Sequence, residues 1–261
     1  MASDVRRILS MFLVCLLLAT GASAQDVLVP KASPNTVDAH PCTQSTLSTI
    51  FRCIGHDLRG VTDADARRWL IVGGILAAGS LLLDDEVVHK FADVDQDPSV
   101  AIGENLGEAG LQFGVPFAVY LAARATGHDT AADMGIVMLR TQVVNGILTR
   151  GLKMLPRPRP YQKVATPTKG SFPSGHTSAT FATATVAYRR WGWRVGVPAY
   201  ALASFVGATR LQNVHYLSDV AFGAALGVAS GLVVDLPGRR PVVAPLIAPG
   251  VAGVSITIGG N

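Results

Sequence analysis

Apolar residues gather into six blocks along the chain, at 69–83, 109–123, 131–139 running on to 148, 178–188, 195–209 and 220–234. Short polar or Gly/Pro-containing stretches divide them, among them Asp84-Asp85-Glu86, 125–129 and 191–194. Blocks of this length predict helices. The expectation is one all-α domain over residues 61–236, a bundle of about six helices with no second domain. The blocks are more uniformly apolar than amphipathic surface helices. Yet most uninterrupted stretches run to about fifteen residues, and a bilayer span takes roughly twenty. Hydropathy and the number of blocks tip the reading toward transmembrane helices, with a compact soluble bundle as the alternative. After 236 the pattern changes period. Residues 241–246 and 251–258 flank Ala248-Pro249-Gly250, and Val254, Ile256 and Ile258 alternate with Ser255 and Thr257, which predicts a β-hairpin tail over 237–261. An isolated hairpin is marginal in water, so it should rest on the helices or on a partner.

The N-terminus reads as an export signal. Residues 1–24 carry Arg6 and Arg7, an apolar run over 8–18, and Ala22-Ser23-Ala24 as a small-x-small cleavage site. A leader over 25–60 follows, flexible over 25–41. Cys15 falls inside the signal, leaving Cys42 and Cys53, a candidate disulfide in an oxidising compartment. His40, Cys42, Cys53 and His56 form a conceivable zinc set, disfavoured because neither Cys-x-x-Cys nor His-x-x-x-His spacing occurs. The run from Asp93 to Glu104 has oxygen ligands at calcium-loop spacing, but Pro98 stands where the turn calls for glycine, so an inter-helix loop is the preferred reading. His89 and His128 have no partner pattern and read as surface residues. The net charge of +4 is spread over arginine-rich turns and the chemical site described next, and nothing in it points to nucleic acid.

The chemistry concentrates in three short runs. His215 and Asp219 stand four apart, a spacing that places them on one face of a helix, where the carboxylate can hold one ring nitrogen and leave the other as a nucleophile. Pro173-Ser174-Gly175-His176 fits a loop-to-helix junction: Ser174 is placed to cap, Gly175 lets backbone N–H groups approach an anion, and His176 stands at the mouth as a general acid. Lys153, Arg157, Arg159 and Arg210 supply fixed positive charge for phosphate oxygens. No convergent carboxylate set for a catalytic metal accompanies them, so neither metal nor cofactor is expected.

In the order Lys…Arg-Pro, Pro-Ser-Gly-His and Arg…His-x-x-x-Asp, these runs resemble the signature of the type 2 phosphatidic acid phosphatase and vanadium haloperoxidase superfamily. The likeness spans roughly Asp84 to Asp235. It implies metal-free hydrolysis of a phosphate ester through a phosphohistidine on His215, with Asp219 orienting it and His176 as acid. It also implies that Lys153, Arg159, Ser174, Gly175 and Arg210 bind phosphate. Two spacings depart from the family's. Lys153 and Arg159 have five residues between them instead of six, while the register Arg150 to Arg157 has six but begins with arginine. Arg210 and His215 have four between them instead of five. Both shortenings are expected in connecting loops, because a residue lost inside a helix rotates every later side chain by about a hundred degrees.

The expected function is therefore a phosphatase of phosphorylated lipids or small phosphate esters. It would be exported, either in the membrane with its site on the periplasmic or extracellular side, or soluble in the periplasm. Two other classes compete: a non-catalytic membrane protein with a degenerate phosphate site, and a vanadium-dependent haloperoxidase, for which the chain is short. The substrate has no signature of its own, since phosphatidate, a polyprenyl diphosphate and a soluble monoester all present similar phosphate oxygens.

Overall fold

The computed structural model describes residues 42, 46–91, 98–160, 170–212, 214–234, 236, 240–248 and 251–259. The signal, the leader up to residue 41 and the first acids of the calcium-like run lie outside the described residues. In chain order the helices are α1 (Leu47–Arg59), α2 (Ala64–Ser80), α3 (Asp84–Phe91), α4 (Pro98–Gly107), α5 (Ala109–Thr126), α6 (Asp129–Leu152), α7 (Gly175–Trp191), α8 (Trp193–Arg210) and α9 (Leu217–Val233). Two strands follow, β1 (Arg240–Ala248) and β2 (Val251–Gly259), paired antiparallel with Val242 opposite Thr257.

The six apolar blocks are α2 and α5 to α9, and the all-α architecture is the one the pattern predicts. Three further helices correct the pattern. Asp84-Asp85-Glu86 is no turn but the first turn of α3, where carboxylates favour a helix start. Residues from Pro98 onward are no loop: Pro98 opens α4, a position where its missing N–H costs nothing. The leader's second half is α1, which packs against α6.

The chain turns sharply where the backbone needs glycine. Gly127 at φ 72° closes α5, and Gly192 at φ 74° separates α7 from α8. α9 is the central helix, with α2 on one side and α7 on the other. Gly223, Gly227 and Gly231 repeat every four residues down one face of α9, and a Cβ on any of them would run into Ser174, Ser178 or Thr185. Backbone-to-backbone approach of this kind locks the α7 start against α9. Val144, Val186, Ala229 and Val234, all fully buried, fill the core between α6, α7 and α9.

Two features bear on the transmembrane expectation. No helix among the described residues is long and apolar enough to cross a membrane. The longest, α6 with 24 residues, buries Arg140, Gln142 and Asn145 and starts on Asp129. Arg140, fully buried, donates to both carboxylate oxygens of Asp57 at 3.0 and 2.6 Å and to the carbonyl of Cys42. Cys42 is itself disulfide-linked to Cys53, with 5.6 Å between the Cα atoms. The Arg140–Asp57 pair thereby ties α1 to α6, and the disulfide ties Cys42 to α1.

Candidate active site

Four helix ends meet at one end of the bundle. Lys153 caps the C-terminus of α6, Ser174 precedes the N-terminus of α7, Arg210 is the last residue of α8, and Asp219 lies in the first turn of α9. Both unusual spacings fall between helices: the segment after Lys153 leaves α6, and the segment after Arg210 joins α8 to α9. No helical face is rotated by them.

His215 precedes α9 instead of riding on it, so the pair is loop-to-helix and not two turns of one helix. Its Nδ1 stands 3.4 Å from Asp219 Oδ2. Asp219 is held from several sides. Its Oδ2 accepts from the Tyr216 N–H at 2.9 Å, in a reciprocal capping box, and from the Ser171 hydroxyl. Its Oδ1 accepts from Arg157 at 2.6 Å. Arg157 also reaches Asp84 at 2.7 Å and lies 4.4 Å over the Tyr216 ring. Asp84 in turn accepts from the N–H and hydroxyl of Ser218, at 2.9 and 2.6 Å. Sequence reasoning left Ser171 and Asp84 without a role and gave Arg157 a place among the phosphate-facing charges and in the alternative register, not as a partner of Asp219. Each is joined to Asp219 or its neighbour by contacts spanning forty-eight to 134 positions, which no local motif encodes.

Desolvation pushes His215 down to about 4, against the raising effect of Asp219. Desolvation also acts on Asp219, in the raising direction, but the hydrogen bonds from His215 and Ser171 and the Arg157 charge outweigh it, leaving the carboxyl below its ordinary value. At neutral pH the pair is therefore a neutral imidazole and a carboxylate.

Ser174 does not cap α7 through its side chain; its hydroxyl pairs with Thr177 Oγ1 at 2.8 Å, and its N–H donates to the Asp219 carbonyl at 3.1 Å. The opening N–H groups of α7 thus remain beyond the reach of a side-chain cap, at the positive end of the helix dipole. Gly175 faces Lys153: a Cβ there would meet Lys153 Cε at 3.8 Å. Lys153 Nζ donates to the Gly170 carbonyl at 2.9 Å. Desolvation first, then the Arg159 charge, pulls Lys153 down to about 8.

His176 is wedged beneath α4, where a Cβ on Gly107 would overlap its ring. Desolvation lowers it to about 4, reinforced by Arg210, His215, Arg159 and Lys153. Arg210 is buried, donates to the Val100 carbonyl at 3.1 Å, and is lowered by desolvation, with Glu104 opposing and Arg159 adding to the shift. Lys153, Arg159, Arg210, His176 and His215 thus act electrostatically on one another, and Arg150 is exposed outside this group. No cluster of metal-ligating side chains occurs among the described residues.

At this end of the helices Lys153, Arg159 and Arg210 share an electrostatic neighbourhood with the α7 N-terminus and the carboxylate-held His215, an arrangement suited to an anion. Residues 130–236 match the model of the PAP2 superfamily. The chain is 33% identical over 126 residues to the lipid A 1-phosphatase of Porphyromonas gingivalis, covering 45% of this chain and 27% of that protein. It is 40% identical over 75 residues to the decaprenylphosphoryl-5-phosphoribose phosphatase of Mycobacterium tuberculosis, covering 29% of this chain and 41% of that one. The chain therefore spans less than half the length of these relatives. Among solved structures, Aquifex aeolicus LpxE aligns with TM-score 0.44 and 20% identity over 58% of this chain and 94% of that one. The first transmembrane PAP2 type phosphatidylglycerolphosphate phosphatase from Bacillus subtilis aligns with TM-score 0.46 and 17% identity, over 72% and 92%.

Proposed function

We propose that the chain is a phosphoric ester hydrolase acting on phosphorylated lipids at a membrane surface on the exported side of the cell. The observation that carries this reading is the convergence of Lys153, Arg159, Arg210 and the α7 N-terminus on the His215–Asp219 pair. In the proposed reaction the His215 nitrogen not engaged by Asp219 attacks phosphorus, a P–N bond forms, and the ester P–O bond breaks. His176 gives its proton to the departing oxygen. Water then attacks the phosphohistidine, His176 takes up a proton from it, and inorganic phosphate leaves. A depressed His176 suits this cycle. Desolvation is the largest cause of its shift, and the Arg210, Arg159 and Lys153 charges add to it; a phosphate dianion among these cations offsets them, so the proton becomes available as substrate binds.

The lipid half of the reading rests on apolar exposure and on the named relatives, a lipid A and a decaprenylphosphoryl phosphatase. Met154 and Leu155, directly after Lys153, are 73% and 54% exposed, and Leu82 and Trp193 stand out further along the bundle. Large apolar side chains beside a cationic site suit a substrate with a charged head and a hydrocarbon body. The disulfide favours an oxidising compartment. Phosphate release from a panel of lipid phosphates and soluble monoesters, with wild type and His215→Ala in parallel, tests the proposal. Equal release by the two proteins refutes the mechanism, and preference for soluble esters refutes the substrate class.

A further inference from the structure

Two cavities outside the cationic cluster share a wall. The first, about 230 Å³, is lined by Leu106 of α4, Val115 and Pro116 of α5, Met138 of α6, and Thr180 and Ala184 of α7. The second, about 660 Å³, continues from the same Val115, Pro116 and Met138 to Trp191 at the far end of α7. Their linings advance in step, from Leu111 to Val119 along α5 and from Thr180 to Trp191 along α7, and backward from Met138 to Asp129 along α6. They are one trough running along the bundle axis.

The near end of the trough lies one helical turn from His176. Leu106 precedes Gly107, which lies hard against the His176 ring, and Thr180 donates to the His176 carbonyl at 2.9 Å. From Thr180 to Trp191 the helical rise gives about 16 Å, close to the depth of one membrane leaflet, about half of a 30 Å hydrocarbon core. The polar side chains in its floor are bonded to one another. Thr183 donates to Gln112 Oε1 at 2.6 Å, Gln142 donates to Thr183 Oγ1 at 2.8 Å and to Gln112 Oε1 at 3.1 Å, and Gln112 donates to the Leu106 carbonyl at 2.6 Å. A floor bonded in this way presents little to water, and the remaining lining is apolar apart from His128, Asp129 and Thr130 at the far end.

We infer that this trough holds the hydrocarbon chain of a phosphorylated lipid, laid along α7 from His176 toward Trp191 while the phosphate occupies the cationic cluster. The inference rests on the lipid-phosphatase reading but makes a separate claim, about where the chain lies and which residues measure it. A second copy of this chain or a peptide helix suits the trough less, because its near end lies one helical turn from His176 and its charged neighbours, where neither has reason to place a phosphate. Val115 is half exposed and lines both cavities, which makes it the place to block the chain.

The experiment pairs binding with turnover. Alkyl phosphonates brominated at the terminal carbon, butyl and hexadecyl, are titrated against the full chain while tryptophan emission is followed. The hexadecyl probe should quench, Trp191→Phe should remove most of that quenching, and Val115→Asp should weaken hexadecyl binding about ten-fold or more. In parallel, Val115→Asp should lower the ratio of kcat/KM for hexadecyl phosphate to that for butyl phosphate about ten-fold. Leu202→Asp, on the α8 wall and half exposed, repeats the comparison if Val115→Asp fails to fold. Turnover that ignores chain length, or quenching that survives both Trp191→Phe and Val115→Asp, overturns the trough and leaves the hydrolase reading standing. Quenching with the expected variant pattern but no turnover of either ester overturns the hydrolase reading and leaves the trough. A hexadecyl probe that does not quench also overturns it.

Discussion

Arg140 and Arg157 each hold an aspartate inside the bundle, and the difference between the two pairs separates scaffold from chemistry. Arg140 and Asp57 are both fully buried and engage each other through two bonds, and a third bond from the guanidinium goes to the Cys42 carbonyl. The carboxylate also stands 3.5 Å from His56, which is half exposed. Arg157 is a quarter exposed and divides itself between Asp84 and Asp219, taking one oxygen of Asp219 and leaving the other for Ser171, Tyr216 and His215. The first pair is closed on itself. The second is a bracket that fixes a carboxylate while leaving it able to hold an imidazole, the arrangement an oriented nucleophile requires.

The largest expected effect tests that division directly. His215→Ala should bring phosphate-ester turnover to background, a fall on the order of 10⁴-fold or more, with the melting midpoint at neutral pH little changed. Arg140→Ala should do the opposite: a loss of about 3–5 kcal/mol in stability by denaturant unfolding, since an unpaired carboxylate is left buried, with kcat retained by the folded fraction. An Arg140 variant that folds fully but loses kcat would erase the distinction between the two ends.

The site end was legible in the sequence to an unusual degree because its chemistry demands particular residue types at short spacing. His176, His215 and Asp219 announce themselves in runs of four and five. The bracket behind them does not, because Asp84 lies 73 positions from Arg157 and reads locally as a charged turn. The same holds for Arg140 and Asp57, 83 positions apart. α4 was missed for a different reason. Its first residue is a proline and its face toward the site is made by Gly103 and Gly107, so it has neither the apolar stripe nor the length that periodicity detects. Apolar blocks marked α2 and α5 to α9, and the polar side chains within them, such as Gln142 and Asn145, are bonded inward, to Thr183 and Ser178.

A middle-sized effect sharpens the comparison within the site. Lys153→Ala or Arg159→Ala should each cost about 2–4 kcal/mol in transition-state stabilisation, read from kcat/KM, and Arg150→Ala, at an exposed position, less than about 0.5. Arg157→Ala should differ from all three by lowering both stability and kcat, by roughly 2–3 kcal/mol in unfolding free energy, because Ser171 and the Tyr216 N–H still hold part of the Asp219 charge. A pure KM effect in the Arg157 variant would make it a phosphate ligand and not a bracket.

The smallest effects lie in the pH profile, and they too should belong to the site end. His215, at about 4, is a neutral nucleophile above that pH, while Lys153, at about 8, keeps its charge below that one. Activity should therefore rise through about 4 and fall several-fold through about 8, and Lys153→Arg should move the alkaline limb upward because a guanidinium stays charged there. Stability follows the histidines. Both imidazoles are depressed from 6.5 to about 4, so the unfolded chain takes up protons first as pH falls, and stability complete above 6.5 is lost progressively down to about 4. His215→Asn removes one of these groups and should flatten the fall of the melting midpoint across that interval, whereas Arg140→Lys, at the other end, should lower the midpoint equally at every pH within it. Parallel slopes for wild type and His215→Asn would show that the acid sensitivity arises elsewhere, and that the burial of His215 does not govern its protonation.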